Sequence, residues 1–139
     1  MTDTASPDLS PRLDPEPLSV AQFPAGWRPP GALDHFASLV VADDEVTVVA
    51  GDAVVGRLGG ALAVEPGWRR ITFAGPLPWE IVGFLADVAQ RLAAARIPFT
   101  SMSGFTTDHV LVRSAQADLA LAVLRGEPVP EQRPDVTNP

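Results

Sequence analysis

The sequence contains no cysteine and no lysine. Without cysteine the chain has no disulfide bonds, no thiolate nucleophile and no cysteine-based zinc site. All 10 basic residues are arginines, and 17 acidic residues bring the net charge to −7. An acidic chain with scattered arginines lacks the basic stripe that phosphate backbones require, so we predict no nucleic-acid partner.

Long apolar runs and catalytic motifs are also missing. The apolar runs cover only a few residues, against the roughly 20 that span a bilayer, so we predict no membrane association. Met1–Pro15 has no apolar core of a signal peptide, and a cytoplasmic protein is the default expectation. His35 and His109 are the two histidines, and no serine lies in a nucleophile elbow. We therefore predict no metal, no cofactor and no enzymatic activity.

The length and composition favour one globular domain, or two very small ones that share a core, between two tails. Hydrophobic residues make up 46% of the 139 residues, which is ample for a buried core. Residues 1–16 are rich in proline, serine and aspartate, and we predict a disordered tail there. Residues 129–139 contain several prolines and predict an extended tail.

The first half of the domain has a β-rich pattern. Pro17–Phe23 alternates weakly between apolar and polar residues, which predicts a short strand. His35–Ala50 places two β-branched runs around a polar turn, which predicts a hairpin or two adjacent strands. Gly51–Gly67 is rich in glycine but lacks the lysine of a phosphate-binding loop, and we interpret it as a flexible linker or irregular turns without a helix.

The second half predicts the order strand, helix, strand, strand, helix. Trp68–Phe73 alternates as a half-buried strand, and two prolines delay the following helix until near Trp79 or Glu80. The other elements are strands at Ile97–Thr100 and Asp108–Val112, and a helix capped by Ser114 and ended by Gly126. This order lacks one strand of a ferredoxin-like unit, and we predict that a strand from the first half fills the gap.

Five short motifs, taken in order, resemble one family. They are Asp44-Glu45-Val46-Thr47-Val48-Val49, Gly67-Trp68-Arg69, Gly75-Pro76-Leu77, Gly83-Phe84-Leu85-Ala86 and Phe105-x-Thr107-Asp108-His109-Val110-Leu111-Val112. This series resembles the ACT-domain proteins of the CASTOR type, which are related to the regulatory domains of aspartate kinases. The resemblance implies an α+β fold with antiparallel sheets backed by helices. A ferredoxin-like βαββαβ ACT unit at 67–128 would be paired with a degenerate ACT-like unit at 17–66.

The resemblance also implies a regulatory site for a free amino acid between ACT units, without kinase activity. The ligand carboxylate suits a helix N-terminus, which the loop Gly75–Gly83 delivers. Gly83 would permit close approach of the backbone, or would only let the helix pack tightly on the sheet. Pro78 and Trp79 are either pocket walls or core residues.

The ligand ammonium group needs a carboxylate. Asp108 is the leading candidate because aspartate is disfavoured in strands, although it could instead bond turn amides as a cap. Glu80 is a second candidate, and helix capping explains it equally well. Thr47 carries over from the first motif as a contact from the first unit. Gly104 departs from the serine-threonine of the family, which would enlarge or disable the pocket.

The sequence therefore predicts a sensor or regulatory protein for a free amino acid or a similar metabolite, which we expect to form a homodimer. The predicted ligand-binding residues are Thr47, Leu77, Glu80, Ile81, Val82, Gly83, Gly104, Phe105, Thr107 and Asp108. The alternative is a ligand-free interaction or dimerisation module that uses an open sheet edge. An unrecognised enzyme is a third, weaker hypothesis.

Overall fold

The computed structural model describes residues 10–78 and 80–128. The strands are β1 (Arg12–Leu13), β2 (Leu18–Pro24), β3 (Ala37–Val41), β4 (Glu45–Gly51), β5 (Ala63–Thr72), β6 (Phe99–Ser103) and β7 (Asp108–Arg113). The helices are α1 (Asp52–Arg57), α2 (Phe84–Ala94) and α3 (Ala117–Arg125), and a 3-10 turn at Ser114–Gln116 precedes α3.

All seven strands belong to one sheet in the order β3-β4-β2-β5-β7-β6, with β1 also beside β5. Every pairing among them is antiparallel. The predicted α+β fold with antiparallel strands backed by helices is confirmed. The two halves of the chain meet at the β2–β5 pairing, so they share one sheet.

β2 of the first half takes part of the position that the second half lacked, as predicted, and β1 from the predicted tail takes the rest. Leu18 lies opposite Trp68 where β2 pairs with β5, and Arg12 lies opposite Thr72 where β1 pairs with β5. Two pieces of the N-terminal chain therefore run along β5 one after the other, and together they take the missing position.

The prediction of a disordered tail is wrong for residues 10–16. The Asp14 N–H donates to the Arg70 carbonyl at 2.9 Å, and Arg69 Nε donates to the Asp14 carbonyl at 2.8 Å. The Asp14 carboxylate also lies 3.2 Å from Arg70 NH2. Composition could not reveal these bonds because the arginines that make them lie far along the chain. Residues 1–9 and the predicted tail at 129–139 lie outside the described residues.

The prediction that Gly51–Gly67 has no helix is also wrong. Asp52–Arg57 forms α1, and its Val54 and Val55 are buried against strand residues of the first half. β5 also begins at Ala63, earlier than the predicted Trp68. The helix has only about two turns, too short for a period of 3.6 to stand out among glycines.

The core has a layer on each side of the sheet. On the helix side, Val110 and Val112 pack with α2 and α3, while the first half has its own cluster against α1. Leu111, between the two valines, belongs to a third cluster on the opposite face, because successive strand residues point to opposite faces. Phe36 from the first half lies 5.0 Å, ring to ring, from His109 of the second. The sheet therefore curls around this third cluster.

Two predicted helix starts need correction. α2 begins at Phe84, not near Trp79 or Glu80, because Gly83 has a φ of 85°, which no right-handed helix contains. Ser114 does not cap α3; it opens the 3-10 turn, and α3 follows Gln116 without a side-chain cap. Gly126 ends α3 with a φ of 70°, as predicted.

We predict that Asp14→Ala destabilises the protein by about 1 kcal/mol, which lowers Tm by roughly 4 °C. The loss includes the ion pair with Arg70 and the hydrogen bond that Asp14 accepts from the Glu16 N–H. The expected loss is small because the Asp14 side chain is 32% exposed and solvent screens the pair. Thermal unfolding by circular dichroism measures it. Asp43→Ala, in the exposed β3–β4 turn, is the matched control and should leave Tm unchanged; an equal drop would contradict the prediction.

Candidate functional site

A cleft of about 230 Å³ lies where the loop before α2 meets the turn between β6 and β7. Its described lining comes from these two segments: Leu77, Pro78, Ile81, Ser103, Gly104, Phe105, Thr106, Thr107 and Asp108. The two segments are far apart in the chain, and the β5–β7 pairing brings them together.

Backbone hydrogen bonds hold the two walls of the cleft. The Leu77 N–H donates to the Thr106 carbonyl at 2.6 Å, which ties the loop to the turn, and the Gly104 N–H donates to the Thr107 carbonyl at 2.8 Å, which closes the turn. Gly75 approaches closely as well, since a Cβ on it would lie 3.5 Å from the Thr106 oxygen. The Gly75–Pro76 peptide bond is cis. The cleft is therefore preformed by main-chain contacts.

The polar side of the cleft centres on Asp108. The Ser103 hydroxyl donates to Asp108 Oδ1 at 2.6 Å, and these two residues lie opposite each other in the β6–β7 ladder. Among the described residues that line the cleft, Asp108 is the one that carries a charge. The described side-chain hydrogen bond of Asp108 is accepted from the Ser103 hydroxyl. The Gly104 N–H in the turn donates to the Thr107 carbonyl instead. These bonds do not fit the alternative in which Asp108 caps turn amides.

The apolar side of the cleft comes from Leu77, Pro78 and Ile81. Leu77 and Ile81 also pack against the core cluster under α2 and α3. Ile81 is placed by a turn in which its N–H donates to the Pro78 carbonyl at 3.1 Å. The cleft thus offers an apolar wall opposite a carboxylate and hydroxyls.

Six of the predicted ligand-binding residues line this cleft: Leu77, Ile81, Gly104, Phe105, Thr107 and Asp108. Three others, Glu80, Val82 and Gly83, are exposed and lie outside the lining, with Val82 92% exposed. Thr47 lies in the first half, where β4 places it opposite Gln22 and Val40. Trp79 lies outside the described residues. Within one chain, residues 10–66 contribute nothing to the described lining.

Sequence reasoning left Ser103 and Thr106 out of the predicted set. Ser103 is the more informative omission because it holds the Asp108 carboxylate. Ser103 could have been predicted from the hairpin. If Asp108 begins a strand after a short turn, the antiparallel ladder of β6 and β7 places Ser103 opposite it.

Gly83 and Gly104 are explained by different physical constraints. At Gly83, φ is +85°, and among the described atoms nothing lies within 4 Å of the position that a Cβ would take. Backbone conformation therefore explains this glycine better than tight packing does. At Gly104, a Cβ would lie 3.2 Å from the Thr107 oxygen and 3.4 Å from His109 Nε2. The missing side chain at Gly104 therefore permits a close turn.

A second polar cluster lies next to the cleft. Arg70 NH1 is 3.2 Å from His109 Nδ1, Arg70 NH2 is 3.2 Å from the Asp14 carboxylate, and the guanidinium lies 4.2 Å from the Phe36 ring centroid. A guanidinium can only donate, so His109 Nδ1 accepts and the proton of the neutral ring is on Nε2. Burial lowers the pKa of His109 below 6.5, Arg70 lowers it further, and Asp108 opposes both.

The charge state of His109 should therefore affect stability. Because its pKa is lower in the folded chain than in the unfolded chain, the unfolded state binds more protons near and below pH 6.5. The contribution of His109 is complete above that pH and is lost as the pH falls. We predict that Tm falls between about pH 7 and pH 5 more steeply in the wild type than in His109→Gln, whose amide oxygen can still accept from Arg70.

Thermal unfolding of both proteins across this pH range measures the difference. The nearby charges, Arg70, Asp14 and Asp108, are the same in both proteins and cancel in the comparison. Parallel pH profiles would contradict the prediction.

Among the described residues, no group of three or more histidine, aspartate or glutamate side chains is placed to hold a metal ion. In the same part of the chain, none of the helices has the length and apolar character needed to cross a membrane.

The cleft lies within a segment that matches the profile of a known domain family. The ACT domain profile matches residues 63–126, which run from the start of β5 to the end of α3 and contain every described cleft residue. No curated protein matches the chain significantly.

Solved structures share the fold over most of the chain. A structural-genomics protein from Agrobacterium tumefaciens is 24% identical with a TM-score of 0.69, covering 85% of this chain and 89% of its own. A Vibrio cholerae protein of unknown function is 22% identical with a TM-score of 0.64, covering 84% and 88%. The ligand-free regulatory subunit of aspartate kinase from Thermus thermophilus is 12% identical with a TM-score of 0.57, covering 84% and 95%.

Proposed function

We propose that the chain is a non-catalytic regulatory protein that binds a free amino acid or a similar small metabolite in the cleft beside Asp108. The observation that carries this proposal is the position of the cleft. Its described lining lies wholly inside the segment that matches the ACT domain and combines one carboxylate with an apolar wall.

The chemistry of the lining supports an amine-bearing ligand. A ligand ammonium group would donate to Asp108, whose second carboxylate oxygen is not used by Ser103 Oγ. Such charge-assisted hydrogen bonds are about twice as strong as neutral ones. An apolar part of the ligand would pack on Leu77 and Ile81. The ligand carboxylate would need backbone N–H groups, because no arginine is among the described lining residues.

The size of the cleft supports a small ligand. Pockets for drug-sized molecules enclose roughly 300–1,000 Å³, whereas this cleft encloses about 230 Å³. An amino acid is of suitable size, and a dinucleotide is not.

The proposed arrangement follows the CASTOR type, with units at 17–66 and 67–128 in a cytoplasmic homodimer. Because the described residues of the first unit do not reach the cleft within one chain, Thr47 would contact a ligand only if a second chain placed its own first unit there. The exposed Val82, close in sequence to cleft residue Ile81, would be available to such a partner.

A ligand-free interaction module is the second candidate function. One observation favours it: three consecutive apolar residues, Leu39, Val40 and Val41, are exposed on β3 at one end of the sheet. Exposed apolar residues on an edge strand invite pairing with another strand.

Thermal unfolding with each of the twenty amino acids separates the two candidates. A ligand at 100 times its Kd stabilises the folded state by about 2.7 kcal/mol, which for a domain of this size raises Tm on the order of 10 °C. We expect at least one amino acid to produce such a shift. A flat panel at millimolar concentrations would remove the sensor proposal and leave the interaction module.

The role of Asp108 is tested on whichever amino acid responds. Asp108→Asn keeps an oxygen that accepts from Ser103 but removes the charge, so the ligand-dependent shift should disappear while the ligand-free Tm stays close to that of the wild type. Asp87→Asn is the matched control, since Asp87 pairs with Arg91 on α2 outside the cleft. A retained shift in Asp108→Asn would contradict the proposed role.

A further inference from the structure

β3 is an edge strand that, among the described strands, pairs only with β4. Leu39, Val40 and Val41 on β3 are 41%, 55% and 49% exposed. The opposite edge, β6, differs because its exposed residues are Thr100, Ser101 and Ser103. β3 also lacks the usual protection of an edge: it has no proline and no charged residue, and its ladder with β4 runs without a bulge from Ala37 to Val41.

The hairpin between β3 and β4 determines which backbone groups of β3 are unpaired. The Ala42 N–H donates to the Glu45 carbonyl at 2.9 Å, so Ala42 and Glu45 form a hydrogen-bonded pair at the turn. Along an antiparallel ladder, hydrogen-bonded pairs alternate with pairs whose N–H and C=O groups point away from each other. The N–H and C=O groups of Ala37, Leu39 and Val41 therefore point away from β4, toward the open edge.

We propose that a second copy of this chain pairs with β3 in an antiparallel ladder centred on Leu39. This register places each Leu39 opposite the same residue of the other copy, and each Ala37 opposite a Val41. All three are the residues whose backbone groups point outward, so each opposing pair can exchange both of its hydrogen bonds. Val40 would lie opposite Ser38 and lose much of its exposed apolar surface.

Symmetry favours the pairing of β3 with β3 over a pairing of β3 with β6 of another copy. A strand that pairs with itself in antiparallel fashion forms an isologous contact, which closes as a dimer, whereas β3 on β6 of another copy would be head-to-tail and could extend into a filament. The antiparallel register therefore uses both open strands and leaves none for further addition at this edge.

Charge at the two ends of β3 favours the same arrangement. Asp43 and Asp44 lie in the turn after β3, while His35 and Arg57 lie near its start, where Arg57 is 3.6 Å from Asp34. Antiparallel pairing keeps the two acidic turns at opposite ends of the interface, each facing the Arg57–Asp34 pair of the other copy. A parallel arrangement would bring the acidic turns together, which is unfavourable in a chain of net charge −7.

This interface does not depend on the proposed amino-acid ligand. The cleft is lined by the loop before α2 and by the β6–β7 turn, and none of the described lining residues belongs to β3. In this dimer the described lining of each cleft comes from one chain. It therefore differs from an arrangement in which Thr47 of a second chain reaches the cleft, and dimerisation and ligand binding can be tested separately.

Sedimentation velocity from low to high micromolar concentration tests the proposal on the full chain. We expect the wild type to be a dimer in reversible exchange with monomer. Val40→Lys places a charge at the paired edge and should weaken dimerisation by about tenfold or more. Thr100→Lys puts the same residue on the edge strand β6 and should leave dimerisation unchanged.

Leu39→Pro is a second variant that acts through the backbone. It removes an N–H that points away from β4, so the β3–β4 ladder keeps its bonds while the ladder between copies loses one. Monomeric Val40→Lys and Leu39→Pro proteins with wild-type circular dichroism would support the interface. A wild type that stays monomeric, a dimer lost in Thr100→Lys but kept in Val40→Lys, or assembly beyond a dimer would overturn it.

Discussion

The pairing of β5 with strands from both halves of the chain is the constraint on which the rest of the structure depends. On one side β5 pairs with β1 and β2, and on the other it pairs with β7. Neither half could close a core without it: the second half lacks a strand, and the described first half has only the short α1. Because β5 also holds β7 in register, it decides where the β6–β7 turn stands relative to the loop before α2. The cleft is a consequence of that register.

The chemistry of the cleft depends on alternation along β7. Asp108 and His109 are neighbours in the chain, yet they point to opposite faces of the sheet. Asp108 meets Ser103 in the cleft, while His109 meets Arg70 and Phe36 on the face away from the helices. The start of β7 thus places a carboxylate in the cleft and a neutral imidazole against the N-terminal segment.

Much of the fold was predictable from the sequence because strands with one buried face alternate. The hairpin of β3 and β4, the strand β7 and the need for a borrowed strand beside β5 all followed from such patterns. The errors share a cause. The structure of each mispredicted segment depends on partners distant in sequence or on a single backbone angle. The order of residues 10–16 depends on Arg69 and Arg70, and the start of α2 depends on the positive φ of Gly83.

The cleft was predictable in part for similar reasons. The residues at its two junctions, such as Leu77 and Asp108, were found because loops that flank regular elements carry polar and turn residues. Glu80 was predicted as a second carboxylate and Gly83 as a point of close backbone approach at the helix N-terminus. The turn before α2 leaves both residues exposed, together with Val82. Thr47 came from the motif alone, and the strand order places it in the first half, where it pairs with β2 and β3.

The N-terminal segment beside β5 has a consequence for how the chain reaches its native state. Arg12 pairs with Thr72, and Arg125 Nε donates to the Pro11 carbonyl at 3.3 Å, so these contacts join residues from nearly opposite ends of the described chain. Contacts of such sequence separation slow folding, because a long loop must be closed before they form. During synthesis, residues 10–13 leave the ribosome before β5 and α3 and remain without these native partners until both have been made. The position beside β5 can therefore be filled only after the later part of the described chain is available.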